Sequence, residues 1–269
     1  MSDTKQAARR AESSTLVKRL GRAGLASRGI VWLVIGLLAL QIALGGRAQA
    51  DKNGALQTIA GQPFGELLLA VLAVGFLAYA VWQGLEAAAG LRDEADDKKR
   101  AAKRFGALCR AVVYAALAFS TVRFLVNGQS GGDKTEPLTA RVMQHAGGRT
   151  LVFLVGAGLI IGGLCVVGFA VKQKFEDKVK QYEMPDSMRP LAKVIGTAGF
   201  IGHGLVFVLI GSFIVKAAVE FDPNQAKGLD AALKALAQEA YGKALLVLAA
   251  LGLLAFALWS CIEARYRKL

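Results

Sequence analysis

Five titratable side chains lie within or at the borders of long apolar stretches, and they are the residues best placed to do chemistry. Arg28, Arg110 and His203 are basic, whereas Glu86 and Glu263 are acidic. A charge in such a segment is costly, so these residues either pair with one another or form a proton or ion site. Their positions predict Arg28–Glu86 and His203–Glu263 contacts, and Arg110 is expected to take a glutamate from a neighbouring part of the chain.

A second polar set, Gln41, Arg123 and Lys216, lies thirteen residues after each of the three basic residues. On a straight helix, thirteen residues turn the side-chain direction by roughly 220° and rise about 20 Å. The two sets therefore cannot both line one central channel. The second set is interpreted as anchors that reach the lipid headgroups, a role that is also open to Arg28 and Arg110.

Signatures of enzymes are weak in this sequence. Ser130 lies in a Gly-Gln-Ser-Gly-Gly segment that matches a G-x-S-x-G pattern, but the segment is a loop, and His145 on the same side is also in a glycine-rich loop. Cys109, Cys165 and Cys261 lack metal-site spacing and are interpreted as buried free thiols. The two histidines lie near opposite ends of the helices and cannot clamp one haem. The sequence predicts neither catalysis nor a cofactor.

The lengths of the apolar runs determine the class of protein. Hydrophobic residues are 54% of the 269 residues, and six runs approach or exceed the roughly 18 residues that cross a membrane. Backbone groups in lipid must pair internally, so each run is predicted to be a helix. The runs are Gly29–Leu44, Leu67–Ala89, Phe105–Val122, Thr150–Val171, Val194–Val215 and Ala244–Ile262. The prediction is an all-α integral membrane protein with six transmembrane helices.

The six helices are three copies of a two-helix unit. The odd helices share a stripe of small, basic, aromatic and small residues, spaced four apart on one helix face. The stripe reads Gly24, Arg28, Trp32, Gly36, then Gly106, Arg110, Tyr114, Ala118, then Gly199, His203, Phe207, Gly211. The even helices match at Gly75, Tyr79, Trp82, Glu86 and at Gly252, Phe256, Trp259, Glu263, and the middle copy has Gly158, Gly162, Cys165, Phe169. The middle copy has no acidic residue at the matching position.

This signature resembles that of the bacterial integral membrane proteins grouped as domain of unknown function 1206. The resemblance rests on Gly24-x-x-x-Arg28-Gly29-x-x-Trp32 and its counterparts at Gly106 to Tyr114 and Gly199 to Phe207. It implies tandem two-helix membrane repeats and no activity, since the family is uncharacterised. The predicted organisation is a basic tail at 1–20, repeats at 21–91, 103–172 and 193–264, charged linkers at 92–102 and 173–192, and a C-terminus at 265–269.

The distribution of charge predicts the orientation of the helices. A net charge of +13 is also typical of nucleic-acid-binding proteins. However, 23 of the 33 Lys and Arg residues lie on one side of the helices, in 1–28, 92–110, 172–193 and 265–268. Positively charged flanks stay in the cytoplasm. Both termini are therefore predicted to be cytoplasmic, in a bacterial inner membrane, with anionic lipid headgroups rather than nucleic acid as partners.

The N-terminal segment has a second interpretation. A basic leader, the apolar run at 30–44 and the Ala48-Gln49-Ala50 that follows are also the parts of a cleavable secretory signal. The same helix recurs at 199–219, where cleavage has no role. A retained first helix is therefore expected.

Two helices per repeat return the chain to the same side of the membrane, so the three copies share one orientation. They are predicted to pack with pseudo-threefold symmetry about the membrane normal, and their small residues permit close helix contact. Two functions are left open. The first is a non-catalytic structural or accessory module that binds a protein partner or another copy of itself. The alternative is a transporter or ligand-binding bundle with a cavity on the pseudo-axis.

Overall fold

A computed structural model describes residues 15–46, 49–89, 97–127, 135–222, 226 and 229–267. Within these ranges the chain folds into helices joined by turns, and no β-strand occurs. The helices are α1 (Thr15–Ala43), α2 (Lys52–Ala60), α3 (Gly65–Ala89), α4 (Asp97–Asn127), α5 (Thr135–Met143), α6 (Gly148–Val171), α7 (Met188–Glu220), α8 (Leu229–Ala237) and α9 (Gly242–Tyr266).

Six helices in the described part of the chain are long and apolar enough to cross a membrane. The candidate spans are Gly21–Ala43, Gly65–Ala88, Arg100–Asn127, Gly148–Val171, Met188–Glu220 and Gly242–Tyr266. This confirms the prediction of an all-α protein with six membrane helices. The first helix begins at Thr15, well before its apolar run, so Arg28 lies in the body of a continuous helix rather than at its start.

Each repeat has a short helix between its two long ones. Asp51 caps α2, because its Oδ1 accepts a hydrogen bond from the Gly54 N–H at 2.8 Å. Asp230 in α8 has a different role. Asp230 lies within the first turn, where its Oδ1 accepts a hydrogen bond from the Ala50 N–H at 2.9 Å. The carboxylate therefore ties α8 to the segment before α2 instead of capping its own helix.

The described residues form two compact units. Unit 1 contains those of 1–29, 59–130 and 260–269, and unit 2 contains those of 30–58 and 131–259. Unit 1 therefore joins the beginning of α1 and the end of α9 to α3 and α4, whereas unit 2 is built mainly on α6 and α7.

The first glycine of the repeated stripe lets the two long helices of one repeat touch. In unit 1, a side chain at Gly24 of α1 would overlap Tyr79 of α3. In unit 2, a Cβ at Gly199 of α7 would lie 2.7 Å from the Cα of Phe256 in α9, too close for any side chain. Tyr79 and Phe256 are repeat equivalents, so the same contact is built twice.

The second glycine of the stripe faces a different helix, the even helix of the preceding repeat. In unit 2, a Cβ at Gly211 of α7 would lie 2.8 Å from Ile160 of α6, and one at Gly36 of α1 would lie 2.9 Å from Leu254 of α9. Ile160 and Leu254 are again repeat equivalents. In unit 1, α3 packs along α4 in the same relation. The first long helix of each repeat thus contacts the second long helix of the repeat before it. For the first repeat, that neighbour is the third repeat.

The linker between α6 and α7 is folded. It leaves α6 through a Schellman turn, in which the Lys174 N–H bonds to the Phe169 carbonyl at 3.2 Å and Gln173 adopts the left-handed conformation. Two 3-10 turns follow, at Glu176–Lys178 and Gln181–Glu183. The helices after both linkers begin before the predicted repeat boundaries at 103 and 193, α4 at residue 97 and α7 at residue 188.

Apolar side chains of this linker pack inward. Phe175, Val179 and Met184 are buried, and the Phe175 ring meets Trp259 edge to face with centroids 4.7 Å apart. A Cβ at Gly196 of α7 would lie 2.8 Å from the Trp259 ring, so a larger residue there would displace it. The charged linker predicted at 173–192 is therefore in part a small core beside the ends of α7 and α9.

Candidate functional site

Glu263, near the end of α9, is the centre of an ion-pair network in unit 1. Its Oε2 accepts a hydrogen bond from Nη2 of Arg28 at 2.7 Å, and its Oε1 accepts one from Nη1 of Arg267. Arg28 also donates from Nε to the Ser260 hydroxyl at 3.1 Å. The side chain of Glu263 is only 3% exposed, and each of the two arginines is 12% exposed. One buried carboxylate is thus shared by two guanidinium groups.

Aromatic residues surround this network. Tyr79 and Trp82 belong to a buried cluster against which Tyr114 packs. The guanidinium of Arg267 lies over the Trp82 ring, 4.7 Å from its centroid, and the Tyr114 hydroxyl lies beside Arg28. Contacts of cations with ring faces are worth roughly 0.5–2 kcal/mol. The rings therefore hold both arginines in the geometry that Glu263 needs.

A second link passes through Gln83 of α3, whose side chain is buried. One orientation of its amide gives hydrogen-bond partners to both the side-chain oxygen and the side-chain nitrogen. In that orientation Oε1 accepts hydrogen bonds from Arg110 Nε and from the Tyr79 hydroxyl, and Nε2 donates to the Glu86 carboxylate. Arg110 of α4 and Glu86 of α3 are therefore joined by one buried amide.

Both links follow one rule, because each arginine is joined to the glutamate of the preceding repeat. The predicted pair of Arg28 with Glu86 is wrong, since Arg28 bonds to Glu263. Arg110 does reach a neighbouring copy, as predicted, but it bonds to Gln83 there and not directly to the glutamate. The reason is geometric: residues four apart turn by about 40° around a helix. The stripe of α1 contacts its own repeat at Gly24. Twelve residues later, at Gly36, it has turned to face the preceding repeat, and Arg28 lies between these two positions.

The third repeat places His203 in aromatic surroundings. In unit 2 its ring stacks on Phe256 with centroids 4.1 Å apart, and it lies 4.6 Å from Trp32 and 4.5 Å from Phe207. The middle repeat carries no acidic residue at the position that would face it. The predicted contact of His203 with Glu263 joins residues of different units and stays a prediction.

The other polar set lies at exposed positions. Gln41, Arg123 and Lys216 are all exposed, and the Lys216 ammonium is 3.9 Å from the carboxylate of Glu220. Exposed basic groups near helix ends agree with the interpretation as headgroup anchors.

The cysteines differ from expectation. All three are exposed rather than buried, on outward faces of α4, α6 and α9. A thiol is weakly polar and tolerates such a face in lipid as it tolerates a core. No group of three or more His, Cys, Asp or Glu side chains that could hold a metal occurs among the residues described. The Gly-Gln-Ser-Gly-Gly segment at 128–132 lies outside them.

A search for charged residues at equivalent positions of the repeats does not identify three members of the network. Ser260 and Arg267 stand three residues before and four after Glu263, and Gln83 stands three before Glu86. Such spacings put side chains on one helix face, which is the signal that could have identified them. Ser260 and Gln83 are themselves repeat equivalents, and each accepts a hydrogen bond from the Nε of its arginine.

Arg149, at the start of α6, is a further residue that the pattern of the repeats does not indicate. Its Nε donates to the Ala218 carbonyl at 2.8 Å and its Nη2 to the Val219 carbonyl at 3.2 Å. Its guanidinium also lies 3.7 Å from the centroid of the Phe221 ring. These are among the last carbonyls of α7, which lack partners within the helix, so Arg149 caps its C-terminus.

The network is built to cross-link helices. Each oxygen of Glu263 holds an arginine, and each arginine has a second contact, with Ser260 or with Trp82. The hydrogen bonds between Glu263 and the arginines are charge-assisted, and such bonds are about twice as strong as neutral ones.

Comparison with known proteins agrees with the repeat architecture. The model of the family described as Domain of Unknown Function (DUF1206) matches three times, at residues 23–90, 105–173 and 198–267. The chain belongs to this family. The three DUF1206 matches confirm the three two-helix repeats. A Bacillus subtilis (strain 168) relative, "Uncharacterized protein YxxB", is 31% identical over 258 residues, which are 96% of this DUF1206 chain and 94% of the relative. No solved structure matches the chain.

Proposed function

We propose that this DUF1206 protein is a non-catalytic membrane module, a scaffold of three helix pairs that binds a partner within the membrane. The observation that carries the proposal is the double pairing of Glu263, whose two oxygens accept from two different arginines. A carboxylate that carries protons or ions must exchange its partners, whereas one that joins helices keeps them.

The repetition of the pairing rule supports a structural role. One link joins the third repeat to the first, and the other joins the first to the second. Removing one partner of a buried ion pair is strongly destabilising, so such links hold repeats together. The pseudo-threefold arrangement of the repeats stays a prediction that is consistent with this rule.

Two helices supply surface for a partner. Within an apolar 18-residue stretch of each span, 17% of the residues are buried in α4 and 17% in α6, against 56% in α3. Phe105 and Phe119 of α4 and Ile161 of α6 each expose more than half of their side-chain surface. In a bilayer, such faces meet lipid chains, another copy of the chain or the helix of a partner. We assign the partner role to α4 and α6.

The proposal includes a location, with both termini and both linkers in the cytoplasm of a bacterial inner membrane. Its support is the bias of basic residues, which also favours anionic headgroups at that face. In a variant without native cysteines, Glu183→Cys in the second linker and Tyr241→Cys before α9 occupy exposed positions. An impermeant maleimide should label the Tyr241 variant in intact cells and the Glu183 variant only in opened membranes. The reverse pattern contradicts the orientation.

A double-mutant cycle tests the scaffold. Arg28→Met and Glu263→Gln, alone and combined, are compared by thermal unfolding of the protein in lipid nanodiscs. We expect each single change to lower the melting temperature and the double change to cost less than their sum, because both remove one interaction. Glu183→Gln, in an exposed linker pair with Lys180, serves as a matched control that should change little. Additive losses would contradict the pairing.

The same variants distinguish the second candidate, a transporter. An ionisable group within a membrane span, such as Glu263, favours that alternative in general. Proteoliposomes loaded with a pH-sensitive dye report whether the protein speeds the decay of a proton gradient. The scaffold predicts no difference from protein-free liposomes. Faster decay in the wild type, abolished by Glu263→Gln with an unchanged melting temperature, would replace the scaffold with a proton pathway.

A further inference from the structure

A cavity of 150 Å³ lies beside the folded linker in unit 2. One water molecule needs only roughly 10–15 Å³ of such space, so the cavity is large enough for a larger group. Its walls come from the linker, the first turns of α7 and the end of α9, and they include Glu176, Gln181, Met184, Arg189, Lys193 and Trp259.

Two buried polar atoms of residues lining this cavity have no partner among the described residues. They are Nε1 of Trp259, a residue that is 1% exposed, and Oε1 of Glu176. The other oxygen of Glu176 accepts a hydrogen bond from Nε2 of Gln181 at 2.8 Å, which orients the carboxylate. The indole N–H can only donate and the ionised carboxylate can only accept. Because buried polar groups nearly always have partners, this pair indicates a ligand that both accepts and donates.

Two cations complete the lining. Arg189 is positioned at the wall by its Nε, which donates to the Gln181 carbonyl at 3.0 Å, and by its Nη1, which is 2.8 Å from Asp186. Lys193, one turn further along α7, also lines the cavity. The cavity therefore combines one neutral donor and two cations, which suit an anion, with one carboxylate, which suits a cationic donor.

The location selects among ligands with both charges. The cavity lies where α6 ends and α7 begins, at the end of membrane spans, which is the level of lipid headgroups and of interfacial tryptophans. A phosphate joined to a primary ammonium matches the lining, since the phosphate accepts and the ammonium donates. A choline headgroup has no N–H for Glu176, and a purely anionic headgroup would place negative charge against it.

We propose that this cavity binds the phosphate–ammonium headgroup of an ethanolamine phospholipid. Glu176 holds the ammonium, and Trp259, Arg189 and Lys193 hold the phosphate. The lining of the cavity includes no residue of the network at Glu263, so the inference stands whether or not the scaffold does.

The test uses the full-length protein, stripped of lipid in detergent and titrated with dioleoyl phosphatidylethanolamine, phosphatidylcholine or phosphatidylglycerol while thermal unfolding is recorded. We expect phosphatidylethanolamine to stabilise the protein at about tenfold lower concentration than either other lipid, the ratio that one hydrogen bond to a charged group supports. Equal responses to all three lipids would overturn the proposal and leave water as the occupant.

Two substitutions and two matched controls locate the effect. Trp259→Phe keeps an aromatic ring beside Phe175 and removes the indole N–H together with part of the ring, and Glu176→Gln removes the negative charge; each should abolish the preference. Trp82→Phe, at the repeat equivalent of Trp259, and Glu183→Gln, in the same linker, should keep it. Without lipid, Trp259→Phe and Trp82→Phe should both lower the melting temperature, because each removes part of a buried ring. A lower temperature together with an intact lipid preference would assign Trp259 to packing alone and overturn its role.

Free phosphoethanolamine separates a membrane source of the ligand from a soluble one. If the headgroup is recognised as part of a lipid, the free compound stabilises only at much higher concentration. Stabilisation by free phosphoethanolamine but not by the lipid would keep the zwitterion chemistry and overturn the lipid assignment.

Discussion

The C-terminal ends of α3 and α9 carry the same pair of residues, Trp82 with Glu86 and Trp259 with Glu263, and the two glutamates meet their arginines differently. Glu263 bonds directly to Arg28, whereas Glu86 is reached through an amide. The residue one turn earlier accounts for the difference. A serine in α9 binds only the Nε of its arginine and leaves the Nη2 group within reach of the carboxylate, but the longer glutamine in α3 fills that space and bridges it.

The two tryptophans diverge as well. Trp82 presents a ring face to the guanidinium of Arg267, so the end of α3 packs against a cation from the last turn of α9 and the residues that follow it. Trp259 is instead covered by Phe175 from the linker, and its N–H finds no acceptor among the described residues. Trp82 thus contacts a cation in unit 1, whereas the equivalent Trp259 lines a cavity in unit 2.

The largest expected effect comes from the same substitution at the two equivalent glutamates. Glu263→Gln should lower the free energy of unfolding by about 3 kcal/mol, because it leaves two buried guanidinium groups without a counter-charge. Glu86→Gln should cost about 1 kcal/mol, since Glu86 receives only a neutral amide. Denaturant unfolding of both variants in the same lipid nanodiscs measures the difference, and equal losses would show that the two ends are not distinct.

A smaller effect is expected at the first glycine of the stripe. Gly24→Ala should cost about 1–3 kcal/mol, because the added carbon overlaps Tyr79 across the helix contact. Gly106→Ala, at the equivalent place in the middle repeat, is the matched control. There the nearest atom to the new carbon is Nη1 of Arg110 at 3.5 Å, so the change should stay within about 0.5 kcal/mol. A similar loss at both glycines would contradict the packing described for the first repeat.

The smallest effect is expected away from both helix ends, at the cap of α7. Arg149→Gln removes a cation from the last carbonyls of that helix and should cost roughly 0.3–1 kcal/mol. Arg141→Gln, an exposed position on α5, should have no measurable effect. Thermal unfolding at low and high salt provides the check, because a surface cap is weakened by salt and the Glu263 network is not. A loss at Arg149 as large as that at Glu263 would mean that the cap, and not the network, dominates.

Much of the candidate site could be predicted from residue types, and little of its pairing. Arg28, Arg110, Glu86 and Glu263 are recognisable as charges at repeated positions in apolar helices, and all four belong to the links in unit 1. The partner of Arg28 was predicted within the wrong repeat, because sequence neighbours were taken as spatial neighbours. Trp259 is recognisable only as a repeated aromatic, since nothing local shows that a linker will fold over it.

The sequence by itself determined that this is a membrane protein of six helices in three repeats, because hydropathy and helical period are local properties that survive in each segment. Tertiary structure alone decided which glutamate each arginine meets and that a charged linker buries Phe175. A stripe that turns by about 40° at every fourth residue touches its own repeat at one end and the preceding repeat at the other. The identity of the second neighbour depends on how all three repeats pack, which no single helix encodes.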